Sequence, residues 1–125
     1  YQVGKWHVGE TPEYWPHKRG FGQHFTFVNG ASSYYNLWPY RQGQDSLKMA
    51  YNGERWRPGP NFFSTDAFSD SAAAFIQRHD TKQPFFMYLA YTAPHWPLHA
   101  FPEDIAKYKG KYQMGWDSLR VQRYE

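Results

Sequence analysis

Two short stretches carry the side chains best suited to chemistry. Lys5 and His7 are two residues apart, a spacing that puts both side chains on one face of an extended segment. A fixed cation beside a titratable imidazole suits binding of, and proton transfer at, an anionic ester. An exposed lysine next to a hydrogen-bonded histidine would show the same spacing. His95 stands between Pro94 and Trp96-Pro97, where a stiffened backbone leaves the imidazole little freedom. A rigid loop just beyond a buried strand is a good place for a general acid or base, and equally for a structural histidine closing the strand end. His99 follows four residues later, the spacing of a helical metal pair, but Pro97 interrupts the helix such a pair needs. No residue is assigned as a metal ligand.

The remaining polar and aromatic residues have simpler readings. His17, His24 and His79 show no partner pattern and read as solvated or loop histidines. Asp66 and Asp70 suit the positive end of a helix. Tyr34, Tyr35, Trp38, Tyr40 and Trp56 would line a ring-stacking groove or fill a core. Lys107, Lys109 and Lys111 alternate with Tyr108 and Tyr112, as in a solvated turn.

Several elements must position the two stretches. Residues 1–7 read as a short strand entering a Gly-bounded loop, and residues 23–28, with β-branched and aromatic side chains, as a second. Residues 47–51 and 54–56 flank Asn52-Gly53 and predict a hairpin. From Glu10 to Pro60 the density of Pro and Gly excludes long helices. Ser64 or Thr65 could cap a helix running to about His79, with Phe68, Ala72, Phe75 and Ile76 on one face. Residues 84–91 form a continuous apolar run, as expected of a strand covered on both faces. The prolines from Pro94 to Pro102 exclude a regular helix there, and residues 102–108 and 115–124 predict a short and a longer helix. Strand, helix and buried strand in that order imply an α/β layer with a parallel sheet, interrupted by a long insertion. Ligands collect outside the carboxyl ends of such strands, and this topology would bring Lys5, His7 and His95 to one rim.

The chain has 125 residues, enough for about one domain. Its 6 Trp, 11 Tyr and 10 Phe supply ring area for a core despite a mean hydropathy of -0.87. The absence of cysteine excludes disulfides, thiolate zinc sites and a thiol nucleophile within these residues. A net charge of +3 spread along the chain does not point to nucleic acid. No apolar run approaches the ~20 residues of a membrane-spanning helix. With Tyr1 first and no methionine before Met49, the chain reads as part of something longer.

Gly4-Lys5-Trp6-His7-Val8-Gly9, Ser64-Thr65-Asp66 before a helix, the run from Pro84 through Ala93-Pro94-His95-Trp96-Pro97-Leu98-His99-Ala100, and Lys109-Gly110-Lys111-Tyr112 with Gly115-Trp116-Asp117-Ser118-Leu119-Arg120 occur in this order over nearly the whole chain. Together they closely resemble the middle of type I sulfatases, arylsulfatase-like members in particular. The resemblance implies a partial alkaline-phosphatase-like α/β/α sandwich with a mostly parallel sheet and a long irregular insertion. It also implies hydrolysis of a sulfate ester, on a sulfated small molecule or glycan, through a formylglycine hydrate with a calcium ion. Carried over by motif, Lys5 would bind a sulfate oxygen. His7 would contact the hydrate and act as the base that collapses the sulfated intermediate. His95 would contact the bridging oxygen and help protonate the leaving alcohol. Sulfatases of this kind are frequently exported.

The resemblance further implies that residues 1–125 are the central part of a catalytic domain, inactive alone. They hold neither a Cys nor a Ser in the expected Pro-Arg context, nor the family's Asp and Asn calcium ligands. Two alternatives fit the same residues. One is a phosphodiesterase or phosphonate monoester hydrolase of the same superfamily, since a cation and imidazoles suit either tetrahedral anion. The other is an aromatic-rich carbohydrate-binding module. The reading as part of a larger domain expects exposed apolar edges around residues 84–91.

Overall fold

The computed structural model describes residues 1–39 and 41–125. Five strands, β1 (Gln2–Lys5), β2 (His24–Phe27), β3 (Met49–Tyr51), β4 (Glu54–Trp56) and β5 (Tyr88–Ala90), form one sheet in the order β4-β3-β2-β1-β5. Three helices follow the chain as α1 (Ser64–Gln77), α2 (Pro102–Tyr108) and α3 (Trp116–Tyr124). The sheet is mixed. β1 runs parallel to both neighbours, β2 and β5, while β3 is antiparallel to β2 and to β4. The expected hairpin is present, and both turn residues take the positive φ that an Asn-Gly connection supplies, 47° at Asn52 and 90° at Gly53.

One sheet face is closed by α1. Phe68, Ala72 and Phe75 are buried against Val3, Phe25, Phe27, Leu47 and Met49, and the ring of Tyr1 stacks on Phe75 at 5.3 Å. Ile76, expected on the same stripe, is 49% exposed. Neither Ser64 nor Thr65 caps α1. The N-cap position is Phe63, without a side-chain cap, and the Ser64 N–H donates to the Tyr34 carbonyl at 2.8 Å. A backbone acceptor from a distant loop thus satisfies one of the free N–H groups of the first turn. On the opposite face, Trp15 packs with Val28 and Ala50, brought there by two short 3₁₀ turns at Pro12–Tyr14 and Pro16–Arg19.

The apolar run at residues 84–91 is not covered on both faces. Only Tyr88–Ala90 pairs, with β1 alone, and Phe86, Tyr88 and Leu89 are exposed. Apolar periodicity reports the taste of a segment for burial but not how many neighbours it has. Among the described residues β5 is therefore an edge strand with an apolar surface.

His24 also departs from its loop reading. It opens β2 fully buried, its Nε2 accepting from the Gly53 N–H at 2.8 Å. Nδ1 therefore carries the ring proton and donates to Thr26 Oγ1 at 2.8 Å. Thr26 Oγ1 donates in turn to Gln2 Oε1. Burial, with a smaller contribution from the stacked His17, lowers the His24 pKa to about 4.

Two predictions concern this frame. A Cβ on Gly4, at φ +97°, would lie 2.0 Å from the Ala90 carbonyl oxygen, whereas Gly20, at φ +94°, has open space around it. Gly4→Ala should cost at least ~2 kcal/mol in urea unfolding and Gly20→Ala only about 1 kcal/mol, the share due to φ alone. Equal losses would show that the β1–β5 approach does not matter. Because the folded pKa of His24 lies below its unfolded value near 6.5, its contribution is full above that value and is lost as pH falls towards 4. A loss on the order of 2 kcal/mol is expected between pH 7 and pH 4. His24→Gln should flatten that slope, and an unchanged slope in the variant would exclude His24 as its source.

Candidate active site

The carboxyl ends of β1, β2 and β5 point the same way, because the three strands are mutually parallel. Their outgoing loops therefore meet at one rim, the crevice in which open α/β sheets hold ligands. Lys5 and His7 leave β1 there, residues 28–33 leave β2, and residues 91–99 leave β5. The six histidines divide accordingly. His7, His95 and His99 lie on this rim, while His24 opens β2 at the opposite end, His17 stacks on it, and the Tyr1 hydroxyl bonds His79.

Lys5 ends β1 half-buried. Gln2 Nε2 donates to the carbonyls of Gly4 at 3.0 Å and Lys5 at 3.4 Å, bracing the strand end from beneath. No described carboxylate forms an ion pair with Lys5; the two ion pairs among the described residues are Lys107–Asp104 and Arg120–Asp117. The ammonium is thus available to an external anion. The pairing with β2 extends two residues further through Trp6 N–H to Phe27 O at 2.9 Å and His7 N–H to Val28 O at 3.1 Å.

The simple alternation expected from Lys5 to His7 stops there, since His7 takes φ 57° in the left-handed region. Its exposed imidazole lies against the backbone of Gly30, where a Cβ would come within 2.5 Å of Nε2. The β2 loop thus seats the ring, and only a glycine leaves room for it.

His95 is held through its backbone. Its N–H donates to Thr92 O at 2.9 Å, and its carbonyl accepts from Tyr34 Oη at 2.7 Å. The ring Nδ1 lies 2.5 Å from the Trp96 carbonyl. A carbonyl only accepts, so Nδ1 carries a proton and Nε2 is the nitrogen that gains or loses one. The ring is exposed, and Ala93-Pro94 and Trp96-Pro97 are both cis peptides. His99 serves a different purpose: its Nδ1 accepts the Tyr34 N–H at 3.2 Å, and its ring packs on Tyr34 and Tyr35.

Tyr34, expected only as a groove or core ring, has a clamping role that sequence reasoning missed. It is 2% exposed and makes three bonds to two other segments, through Oη to His95 and N–H to His99 in the loop after β5, and through its carbonyl to the first turn of α1. Burial raises its pKa, keeping the phenol a donor. No local signal marks this role, because its partners lie 61 and 65 residues away. Of the other residues expected in a ring-stacking groove, Tyr40 lies outside the described residues. Tyr35 packs with Phe63 and Phe101, Trp56 packs on Phe25, and Trp38 is 75% exposed.

This arrangement of a cation and two imidazoles can be set beside known proteins. A sulfatase family model matches residues 1–124. The chain belongs to the sulfatase family. An uncharacterised sulfatase of Schizosaccharomyces pombe is 33% identical over 129 residues, covering 98% of this chain and 23% of that protein. An arylsulfatase of Klebsiella aerogenes is 35% identical over 123 residues, covering 97% and 26%. Among solved structures, Ps i-CgsB in complex with k-i-k-neocarrahexaose aligns with a TM-score of 0.69 and 36% identity over 85% of this chain and 26% of that one. The mixed α/β architecture is accordingly that of the sulfatases, the alkaline-phosphatase-like fold. The chain spans about a quarter of the length of these relatives.

The seat of His7 gives a prediction. Gly30→Ala should displace the imidazole and leave unfolding free energy within about 1 kcal/mol, since a ring end can swing aside. Proton NMR of the His7 ring reads the displacement, and unmoved His7 resonances would show that Gly30 does not hold it.

Proposed function

We propose that the chain is the central part of a larger catalytic domain that hydrolyses sulfate esters, and that Lys5, His7 and His95 handle the ester. The observation that carries this reading is the parallel pairing of β1 with β5, which sends the segments bearing Lys5, His7 and His95 out at the same end of the sheet. Family membership supports the reaction class, and the apolar edge at β5 supports a larger domain.

In this reading the Lys5 ammonium, unpaired with any described carboxylate, neutralises a sulfate oxygen and stabilises the charge that grows there in the transition state. His95 as imidazolium donates its Nε2 proton to the departing alcohol oxygen, while the Trp96 carbonyl holds Nδ1–H and fixes the ring plane. His7, seated on Gly30, holds or takes a proton from a hydroxyl at the same centre. The substrate is a sulfated small molecule or glycan. The arylsulfatase of Klebsiella aerogenes and an N-acetylgalactosamine-6-sulfatase of Mus musculus, the latter 30% identical over 118 residues, stand among the relatives.

The family resemblance also brings calcium and formylglycine, and these residues fit neither. No group of three or more His, Asp or Glu among the described residues could hold a metal ion. The rim side chains singled out are an ammonium and imidazoles rather than carboxylates, and the sequence has neither a cysteine nor a serine in the Pro-Arg context to convert.

In the full-length protein, Lys5→Ala should lower kcat/KM for an aryl sulfate by about 10²-fold or more. His95→Ala should lower it by about 10²-fold for a poor leaving group and by much less for 4-nitrophenyl sulfate, whose 4-nitrophenolate departs without a proton. A loss independent of the leaving group would remove His95 from the acid role. A strong preference for an aryl phosphate over the matching aryl sulfate would favour the phosphodiesterase alternative.

A further inference from the structure

A second feature lies on the same end of the sheet and is not used by the chemistry above. Register places Lys5 beside Phe27, Phe27 beside Met49 and Met49 beside Trp56, so the four residues form one row across β1, β2, β3 and β4. Three inter-strand steps separate Lys5 from Trp56, about 14 Å. Just beyond Trp56 opens a groove of about 350 Å³, lined by Asn36, Trp38, Ser46, Arg55, Trp56 and Arg57 among others.

Its walls are built. The Trp38 N–H donates to Asn36 Oδ1 at 3.0 Å, and the Leu47 N–H reaches the Leu37 carbonyl at 3.3 Å, fixing one side. Trp56 is wedged edge-on against Phe25, with ring centroids 5.0 Å apart, and fixes the other. No lining residue is acidic. Arg55 and Arg57 are exposed and form no ion pair with a described carboxylate. Trp38 leaves three quarters of its surface to solvent, 75%. An exposed indole face meets the C–H face of a sugar ring, and guanidinium forks match the geometry of an oxyanion.

We infer that this groove binds a sulfated sugar unit distinct from the one carrying the scissile ester, with Trp38 stacked on the ring and Arg55 and Arg57 on its sulfate. The inference rests on the hydrolase reading and deepens it. The substrate becomes an oligosaccharide sulfated on more than one residue, long enough to reach from Lys5 to the groove beside Trp56, about 14 Å away.

The test is equilibrium binding of a dextran sulfate hexasaccharide to the full-length protein by calorimetry, with unsulfated dextran of equal length as the reference. Saturable binding is expected for the sulfated probe only. Trp38→Ala and Arg57→Ala should each weaken it by about tenfold, with thermal unfolding midpoints unchanged to certify folding. Affinity that is unaffected by Trp38→Ala marks mere attraction of a polyanion and overturns the inference. So does equal affinity for unsulfated dextran or for a DNA oligonucleotide of matched charge. Turnover of a small aryl sulfate, too short to reach Trp38, is measured in parallel. If it is hydrolysed while the binding arms fail, only the groove falls; if it is not hydrolysed while the binding arms hold, only the reaction falls.

Discussion

At Gly4 the backbone of β1 runs so close to Ala90 that no side chain fits between them, and the arrangement of the rim follows from that approach. Parallel pairing on both sides of β1 aligns three carboxyl ends. Loops that are more than eighty residues apart in sequence then open onto the same space. Without the β1–β5 ladder, His95 would have no fixed relation to Lys5, however well each were held by its own surroundings.

Beneath the rim, the sheet interior carries a run of polar groups that would be costly if left unmatched. His24, Thr26 and Gln2 satisfy one another, and the amide of Gln2 passes the chain on to the carbonyls of Gly4 and Lys5. Above them Tyr34 gathers the β2 loop, the first turn of α1 and the His95 loop. His7 and His95 are exposed and Lys5 is half-buried, yet each stands on backbone that is pinned from within. This is how a solvent-facing cation and imidazoles keep a defined geometry.

Much of this was legible in the residues. The Asn52-Gly53 turn announced its hairpin because a two-residue connection with two positive φ values has few other solutions. The strand-then-loop pattern around Lys5 and His95 located the rim, because parallel strands leave their loops at one end. The illegible parts depend on partners far away in sequence. Burial of His24 follows from Gly53 and from Thr26 bound to Gln2; the clamp at Tyr34 follows from His95 and His99; the left-handed turn at His7 follows from the space over Gly30. The run from Pro84 to Tyr91 was legible in part: the exposed apolar edge expected of part of a larger domain is there, and the cover on both faces is not. Its apolar character was plain, but whether a neighbour lies on its outer side is a property of the sheet and not of the segment.

The separation of β1 from β5 along the chain also bears on biosynthesis. A ribosome delivers the β2 partner some twenty residues after β1, but Tyr88–Ala90 emerges only after the hairpin and the whole of α1. Until then one side of β1 presents unpaired N–H and C=O groups in a nascent chain rich in aromatic residues, a state open to wrong pairing and to capture by chaperones. Docking of β5 is late for reasons of sequence distance alone, since loop closure over such a span is slow to be rewarded. The functional rim therefore forms only once β5, more than eighty residues downstream of β1, returns to pair with it.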